Sequence, residues 1–166
     1  MTAHFFAKVN REVGPFLFAT KECWRRPRPF VIDETIQPLE RSLASTVARP
    51  DAPPPAAALR PGSPCVGGPR SDQGYSFAYP SGHAAVGAVA AILLAELLPE
   101  RRQQLFVRGW ELGDARIISG VHFPSDVEAG RILATTLVAL MIQNPRFNAD
   151  LTAVRAELRP GLGFSN

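Results

Sequence analysis

The chain has 166 residues, 46% of them apolar, and a formal net charge of +3. This size fits one domain with a single core. Its densest basic cluster, Arg25 to Arg28, carries no interleaved aromatic residues, which argues against a nucleic-acid-binding groove. The longest apolar run, Ala84 to Ala95, is too short to span a membrane and indicates a buried helix instead.

The first part of the chain is predicted to be an amphipathic helix, because apolar residues recur at three- and four-residue steps from Ala3 to Thr20. Gly14 and Pro15 are expected to kink or split this helix. Pro27 and Pro29 are expected to end it and to hold the backbone extended. No basic segment followed by an apolar segment and a cleavage site opens the chain, so no signal peptide is evident.

Residues 31–79 are dense in proline and glycine, which predicts a long surface loop with partial disorder. A loop of this length is either an insertion or a lid. It contains Cys65, and the only other cysteine is Cys23. One disulfide in an oxidising compartment and two separate thiols are both compatible with this pair.

The remainder of the chain is predicted to be helical, with a turn at Pro99. Helices are expected at Ala84–Leu98, Glu100–Ile118, residues 127–142 and, more weakly, residues 148–158. Ser125 is predicted to cap the third of these, with Glu128 completing a capping box. Residues 159–166 are expected to form a flexible tail. Because strand patterns are nearly absent, we expect an all-α helical bundle in one domain, residues 1–166.

Two of the three histidines precede predicted helices, whereas His4 is interpreted as a surface residue. Asp126 follows His122 by four residues and can reach back to its imidazole ring. A carboxylate on one ring nitrogen fixes the tautomer and leaves the other nitrogen free to attack. Asp126 could also simply cap its helix, and His83 taken alone could be structural.

An anion site is indicated at the start of the first C-terminal helix. Ser81, Gly82 and His83 stand in front of this helix, where unpaired backbone N–H groups and the helix dipole favour negative charge. Three cations could join them, and each alone could equally be a surface charge. These are Lys21, Arg28 and Arg116. Arg25 and Arg26 are assigned as surface charges.

Two rival chemistries use the same residues. His83, His122 and Asp126 could form the two-histidine, one-carboxylate site known for iron, although three converging cations would repel a metal dication. Ser81 could be a hydrolase nucleophile, but its surroundings lack the Gly-x-Ser-x-Gly elbow. A hydroxyl that donates to a phosphate oxygen is the simpler role for Ser81.

Three motifs stand in order along the chain: Lys21 with six residues to Arg28-Pro29, Pro80-Ser81-Gly82-His83, and Arg116 with five residues to His122 and three more to Asp126. Together they resemble the signature of the type-2 phosphatidic acid phosphatase superfamily, which includes vanadium haloperoxidases. The stretch GWELGDARIISGVHFPSDVEAGR further resembles the bacterial class A non-specific acid phosphatases. The resemblance covers residues 77–158, and residues 6–30 add the first motif.

This resemblance implies a helical, metal-independent periplasmic enzyme without a cofactor that hydrolyses phosphate monoesters, with nucleotides among them. It implies that His122 attacks phosphorus to form a phosphohistidine, that Asp126 orients His122 and that His83 protonates the leaving alcohol. Phosphoryl transfer to another alcohol is an implied side reaction. The residues implied to hold the phosphoryl oxygens are Lys21, Arg28, Ser81, Gly82 and Arg116.

The chain also departs from this family, because Ala115 stands where the family usually has Ser, and neither a signal peptide nor further N-terminal helices are evident. One alternative is a vanadate-dependent haloperoxidase, because vanadate mimics the phosphoryl transition state and would occupy the same site. The other is a shortened, non-catalytic phosphate-binding module. A membrane lipid phosphatase is disfavoured by the absence of predicted spans. An apolar face left by missing helices could support a homodimer.

Overall fold

A computed structural model describes residues 1–39 and 77–165 of the chain. These residues form helices joined by turns, with no strand among them, which confirms the all-α prediction. The helices are α1 (Thr2–Trp24), α2 (Pro29–Ile32), α3 (Gly82–Leu97), a 3-10 turn (Pro99–Arg101), α4 (Arg102–Ile118), α5 (Pro124–Met141) and α6 (Pro145–Gly161). Most of the predicted surface loop, including Cys65 of the Cys23–Cys65 pair, lies outside the described residues. None of the described helices has both the length and the apolarity to cross a bilayer.

Helix α3 is the centre of the bundle and makes its most extensive contacts with α4 and α5. Helices α1 and α6 cover its remaining sides. One apolar cluster joins α1, α3, α5 and α6, because each presents a stripe of buried side chains at helical spacing. Its most buried members are Val9, Val13, Val89, Leu93, Leu97, Ala85, Ala134 and Val154.

A seam of glycines lets α4 and α5 approach the backbone of α3; we call Gly87, Gly109, Gly113 and Gly130 the glycine seam. A Cβ atom on Gly109 would lie 2.6 Å from the Gly87 carbonyl oxygen. A Cβ atom on Gly130 would lie 2.5 Å from the Ser81 carbonyl oxygen. Since no real side chain fits at these distances, the seam fixes the start of α3 against α5.

Helix α1 and the segment after it follow the proline predictions only in part. It runs through Pro15 without a split and ends at Trp24, where Arg25 adopts a left-handed conformation with φ 44°. The extended stretch is short, because Pro29 occupies the first turn of α2, a position where its missing N–H is not needed. The prediction that Pro29 holds the backbone extended is therefore wrong.

The predicted cap of α5 is wrong. The helix begins at Pro124, and Phe123 rather than Ser125 is its N-cap residue. The carboxylate of Asp126 accepts the Phe123 N–H at 2.8 Å and thereby satisfies a free donor of the first turn. Glu128 does not complete a capping box and instead forms an ion pair with Arg131 at 3.6 Å.

Helix α6 is longer at both ends than the weak helix predicted for residues 148–158. Asn144 caps its start, accepting the Arg146 N–H at 2.9 Å. Its last turn extends to Gly161, into the segment predicted as a flexible tail. Arg159 in that turn is buried and donates to the Leu97 carbonyl and the Glu100 carboxylate, and Phe164 packs against the core.

Candidate active site

His122 lies in the short turn between α4 and α5 and is only 4% exposed. Its Nδ1 atom is 3.4 Å from Asp126 Oδ2, and its Nε2 atom is 2.8 Å from Arg28 Nη1. Because a guanidinium can only donate, Nε2 accepts and Nδ1 carries the ring proton. The surroundings therefore select the neutral tautomer with its Nε2 lone pair facing Arg28.

The environment of His122 disfavours its protonated form. Burial lowers its pKa from 6.5 to about 4, and the positive charges of Arg28 and Lys21 act in the same direction. The hydrogen bond and the negative charge of Asp126 oppose this change but do not cancel it. The imidazole is therefore neutral at any pH well above 4.

Asp126 is fully buried and connects three parts of the site. Its Oδ2 atom accepts the Phe123 N–H, its Oδ1 atom accepts from Arg26 Nη1 at 2.8 Å, and its main-chain oxygen accepts the Ser81 N–H at 2.8 Å. Burial raises the pKa of Asp126, but the hydrogen bonds from His122 and Phe123 and the Arg26 charge outweigh it and hold the pKa below its ordinary value.

The assignment of Arg26 as a surface charge is wrong. Its Nη1 atom donates to Ser125 Oγ at 2.7 Å as well as to Asp126, and its guanidinium carbon lies 4.1 Å from the centre of the Phe123 ring. The sequence could have indicated a role for Arg26 in the site, because residues two apart in an extended segment point to the same side. Arg26 precedes Arg28 by two residues in such a segment.

Lys21 is buried at the end of α1, and its Nζ atom donates to the Phe77 carbonyl at 2.5 Å. Burial and, to a smaller extent, the Arg28 charge together lower its pKa from 10.5 to about 7, against the opposing effect of Asp126. Lys21 thus lies close to a second cation, Arg28, and the negative charge of Asp126 only partly offsets their repulsion.

Ser81 caps helix α3, and its hydroxyl accepts the Ala84 N–H at 3.4 Å. Gly82, the first residue of α3, follows it directly. The Ser81 main chain is tied to Asp126 as described above, so the start of α3 is held beside the turn that carries His122.

Arg116 and His83 complete the set of predicted site residues. Arg116 is buried in the last turn of α4, and its carbonyl accepts the N–H groups of Val121 and His122 at 3.2 Å. His83 is the second residue of α3 and is exposed. Across residues 1–39 and 77–165, no three His, Cys, Asp or Glu side chains gather as metal ligands.

A family model described as the PAP2 superfamily matches residues 8–150, which is most of the chain. The chain belongs to the PAP2 superfamily. The match includes all of the predicted site residues, from Lys21 to Asp126. The resemblance expected from the three motifs is thereby confirmed at the level of the family.

Among its relatives, this PAP2 protein is 48% identical over 80 residues to the non-specific acid phosphatase of Salmonella typhimurium and 44% identical over 79 residues to that of Providencia stuartii. Each alignment covers 48% of this chain and 32% of the relative. It is 33% identical over 138 residues to the acid phosphatase of Zymomonas mobilis, covering 83% of this chain and 42% of the relative. The chain thus spans less than half the length of these relatives.

Proposed function

We propose that this PAP2 protein is an acid phosphatase that hydrolyses phosphate monoesters through a phosphohistidine on His122. The observation that carries the proposal is the state of His122, which is neutral, with its Nδ1–H directed at Asp126 and its Nε2 lone pair at Arg28. A histidine nucleophile has to be unprotonated, and its attacking atom has to lie beside a group that binds the phosphoryl oxygens. The names of the related acid phosphatases support the same activity.

The phosphoryl group would occupy the anion site, where the guanidinium of Arg28 would move from His122 Nε2 to a phosphoryl oxygen. Lys21 and Arg116 would add charge, and Ser81 and Gly82 would offer the hydroxyl and N–H donors at the start of α3. The low pKa of Lys21 supports this assignment, since a bound dianion would relieve the repulsion between Lys21 and Arg28. Phosphoryl transfer depends chiefly on such positioning and charge stabilisation.

In the first chemical step, the Nε2 lone pair of His122 forms a bond to phosphorus while the bond from phosphorus to the leaving oxygen breaks. His83 gives its proton to that oxygen, so the alcohol departs neutral. Asp126 stabilises the positive charge that develops on the His122 ring. Water then hydrolyses the phosphohistidine, and a second alcohol occasionally accepts the phosphoryl group in place of water. Nucleotides are among the proposed substrates.

These roles give a bell-shaped dependence of kcat/KM on pH. The acid limb belongs to His122 and is expected near pH 4, where its ring becomes protonated. The alkaline limb belongs to His83, which has to be protonated in order to donate. A profile that stays flat from about pH 4 to about pH 9 contradicts this pair of roles.

The proposal includes three further properties: independence of metal ions, a periplasmic location and a homodimer. The dimer would bury exposed apolar side chains such as Trp110, which is 52% exposed, and Ile132, which is 59% exposed. Light scattering on the purified chain measures its mass in solution, and a monomer at all concentrations contradicts the dimer.

The decisive experiment is hydrolysis of para-nitrophenyl phosphate at about pH 5 to 6 in EDTA. We expect turnover in the wild type, loss of turnover in His122→Ala, and no change in His4→Ala, which removes an exposed histidine of α1. A folded wild type without turnover contradicts the proposal. Phosphate binding alone would then indicate the non-catalytic module, and halide oxidation with added vanadate would indicate the haloperoxidase.

A further inference from the structure

Arg26 occupies one of the six unspecified positions between Lys21 and Arg28 in the first motif, yet it contacts a buried carboxylate of the candidate active site. We propose that Arg26 is a positioning residue that holds the Asp126 carboxylate in the orientation needed to align His122. The consequence for turnover rests on the proposed phosphatase function. The consequence for the protonation of His122 does not.

The two oxygens of Asp126 have different partners. Oδ2 receives the Phe123 N–H at 2.8 Å and faces His122 Nδ1 at 3.4 Å, whereas Oδ1 receives Arg26 Nη1 at 2.8 Å. Because Asp126 is fully buried, loss of Arg26 would remove the charged partner of Oδ1 in a place shielded from bulk water. The carboxylate would stay beside His122, but nothing would hold Oδ1 in place, so Oδ2 would no longer fix the orientation of the ring.

Arg26 is itself held firmly enough to act as a fixed point. Its guanidinium also donates to Ser125 Oγ at 2.7 Å and stacks over the Phe123 ring, and its carbonyl accepts the Ala78 N–H at 2.8 Å. Ser125 and Phe123 flank the start of α5, next to the turn of His122. Arg26 therefore ties the segment after α1 to the helix that carries Asp126.

The pKa of His122 tests the role of Arg26 without any measurement of turnover, because it depends on the charges around His122 and Asp126. The charged groups that face His122 are Lys21 from α1, Arg28 from the following segment and Asp126 from α5, and Asp126 in turn faces Arg26. Without the Arg26 charge, the negative charge of Asp126 is less compensated, so the protonated form of His122 becomes easier to form. The pKa of His122 should rise from about 4 toward 6.5.

The test compares Arg26→Gln with the control variant Arg25→Gln. Arg25 is the neighbouring arginine, and it faces Glu22 at 3.7 Å rather than Asp126. The pKa of the His122 ring is followed by NMR titration, and its signal is assigned by its loss in His122→Ala. In Arg26→Gln we expect the pKa to rise by about one unit. We also expect kcat to fall about 10- to 100-fold with KM little changed. Arg25→Gln should match the wild type in both.

A purely structural role for Arg26 would lower the unfolding free energy without moving the pKa of His122. An unchanged pKa and an unchanged kcat in folded Arg26→Gln therefore overturn the inference. If that variant does not fold, Arg26→Lys decides, because an ammonium keeps the charge but lacks the planar group that stacks over the Phe123 ring and aims Nη1 at Asp126. We then expect an unchanged pKa with kcat about tenfold lower, and a wild-type kcat refutes the inference.

The titration needs no turnover, so the two proposals can fail separately. If the wild type hydrolyses nothing, the phosphatase function fails, and the pKa of His122 in Arg26→Gln still decides whether Arg26 acts on the pair. If the wild type is active and the pKa and kcat are both indifferent to Arg26→Gln, only the role of Arg26 fails.

Discussion

Binding of a tetrahedral dianion in the anion site should draw a proton onto Lys21. The pKa of Lys21 is about 7 in the free protein because of burial and the Arg28 charge, and a bound dianion would return it toward 10.5. At about pH 8, an amine with a pKa of 7 is only about 10% protonated, whereas one with a pKa near 10.5 is almost fully protonated. Each binding event should therefore take up about 0.9 proton.

Isothermal titration calorimetry with sulfate measures this uptake, because sulfate is a tetrahedral dianion that does not itself titrate at this pH. The heat of binding is compared in two buffers of different ionisation enthalpy at about pH 8, and the difference gives the number of protons. His122 contributes nothing at this pH, since even its ordinary pKa of 6.5 leaves it neutral. Lys21→Met should abolish the uptake. Lys8→Met should preserve it, because Lys8 is a half-exposed lysine that pairs with Asp150.

Two outcomes refute this reasoning. Sulfate binding with no proton uptake in the wild type would mean that Lys21 does not sense the ligand. Absence of sulfate binding to the folded chain would contradict the anion site itself. The same pKa has a consequence for stability: between about pH 7 and 10.5 the unfolded chain binds more protons at Lys21, so the unfolding free energy should rise with pH in the wild type and less so in Lys21→Met.

Three further predictions concern other parts of the site. Because the pKa of His122 is lower in the folded state, the unfolding free energy should fall as pH drops from 6.5 to 4, and urea titrations should show a smaller fall in His122→Gln. Gly130→Ala places a Cβ 2.5 Å from the Ser81 carbonyl oxygen, so it should lower the free energy of unfolding by about 1 to 3 kcal/mol and also reduce turnover. Gly161→Ala has nothing within 4 Å of its added Cβ and should leave both unchanged in the same assays. His83→Ala should reduce hydrolysis of alkyl phosphates much more than of aryl phosphates, and steady-state rates that fall equally remove His83 from the acid role.

The first helix was predictable because it buries a periodic apolar stripe. The apolar spacing in the first helix predicted the face on which Val9, Val13 and Leu17 are buried. The effect of Pro15 was not predictable from local rules, since the missing hydrogen bond of a proline is offset when the flanking turns are buried in the core. Tertiary packing, rather than propensity, decides whether such a helix continues.

The site was predictable where the functional groups are close in sequence. His122 and Asp126 are four residues apart, and that spacing alone brought the ring to the carboxylate. The contact of Arg26 was not predicted, because its partner Asp126 lies 100 residues away along the chain. The left-handed conformation of Arg25 and the cap at Phe123, neither evident in the local sequence, bring the two together.

The glycine seam restricts the substitutions that this protein can tolerate. Since an added methyl at Gly109 or Gly130 meets backbone oxygen at 2.6 Å or less, the frame around the site has almost no sequence freedom at these positions. Tolerated variation should therefore concentrate at side chains that leave the frame untouched, such as Trp24, which is 52% exposed and packs edge-on against Tyr79. A library that randomises this aromatic pair and keeps the seam intact should retain a higher fraction of folded variants.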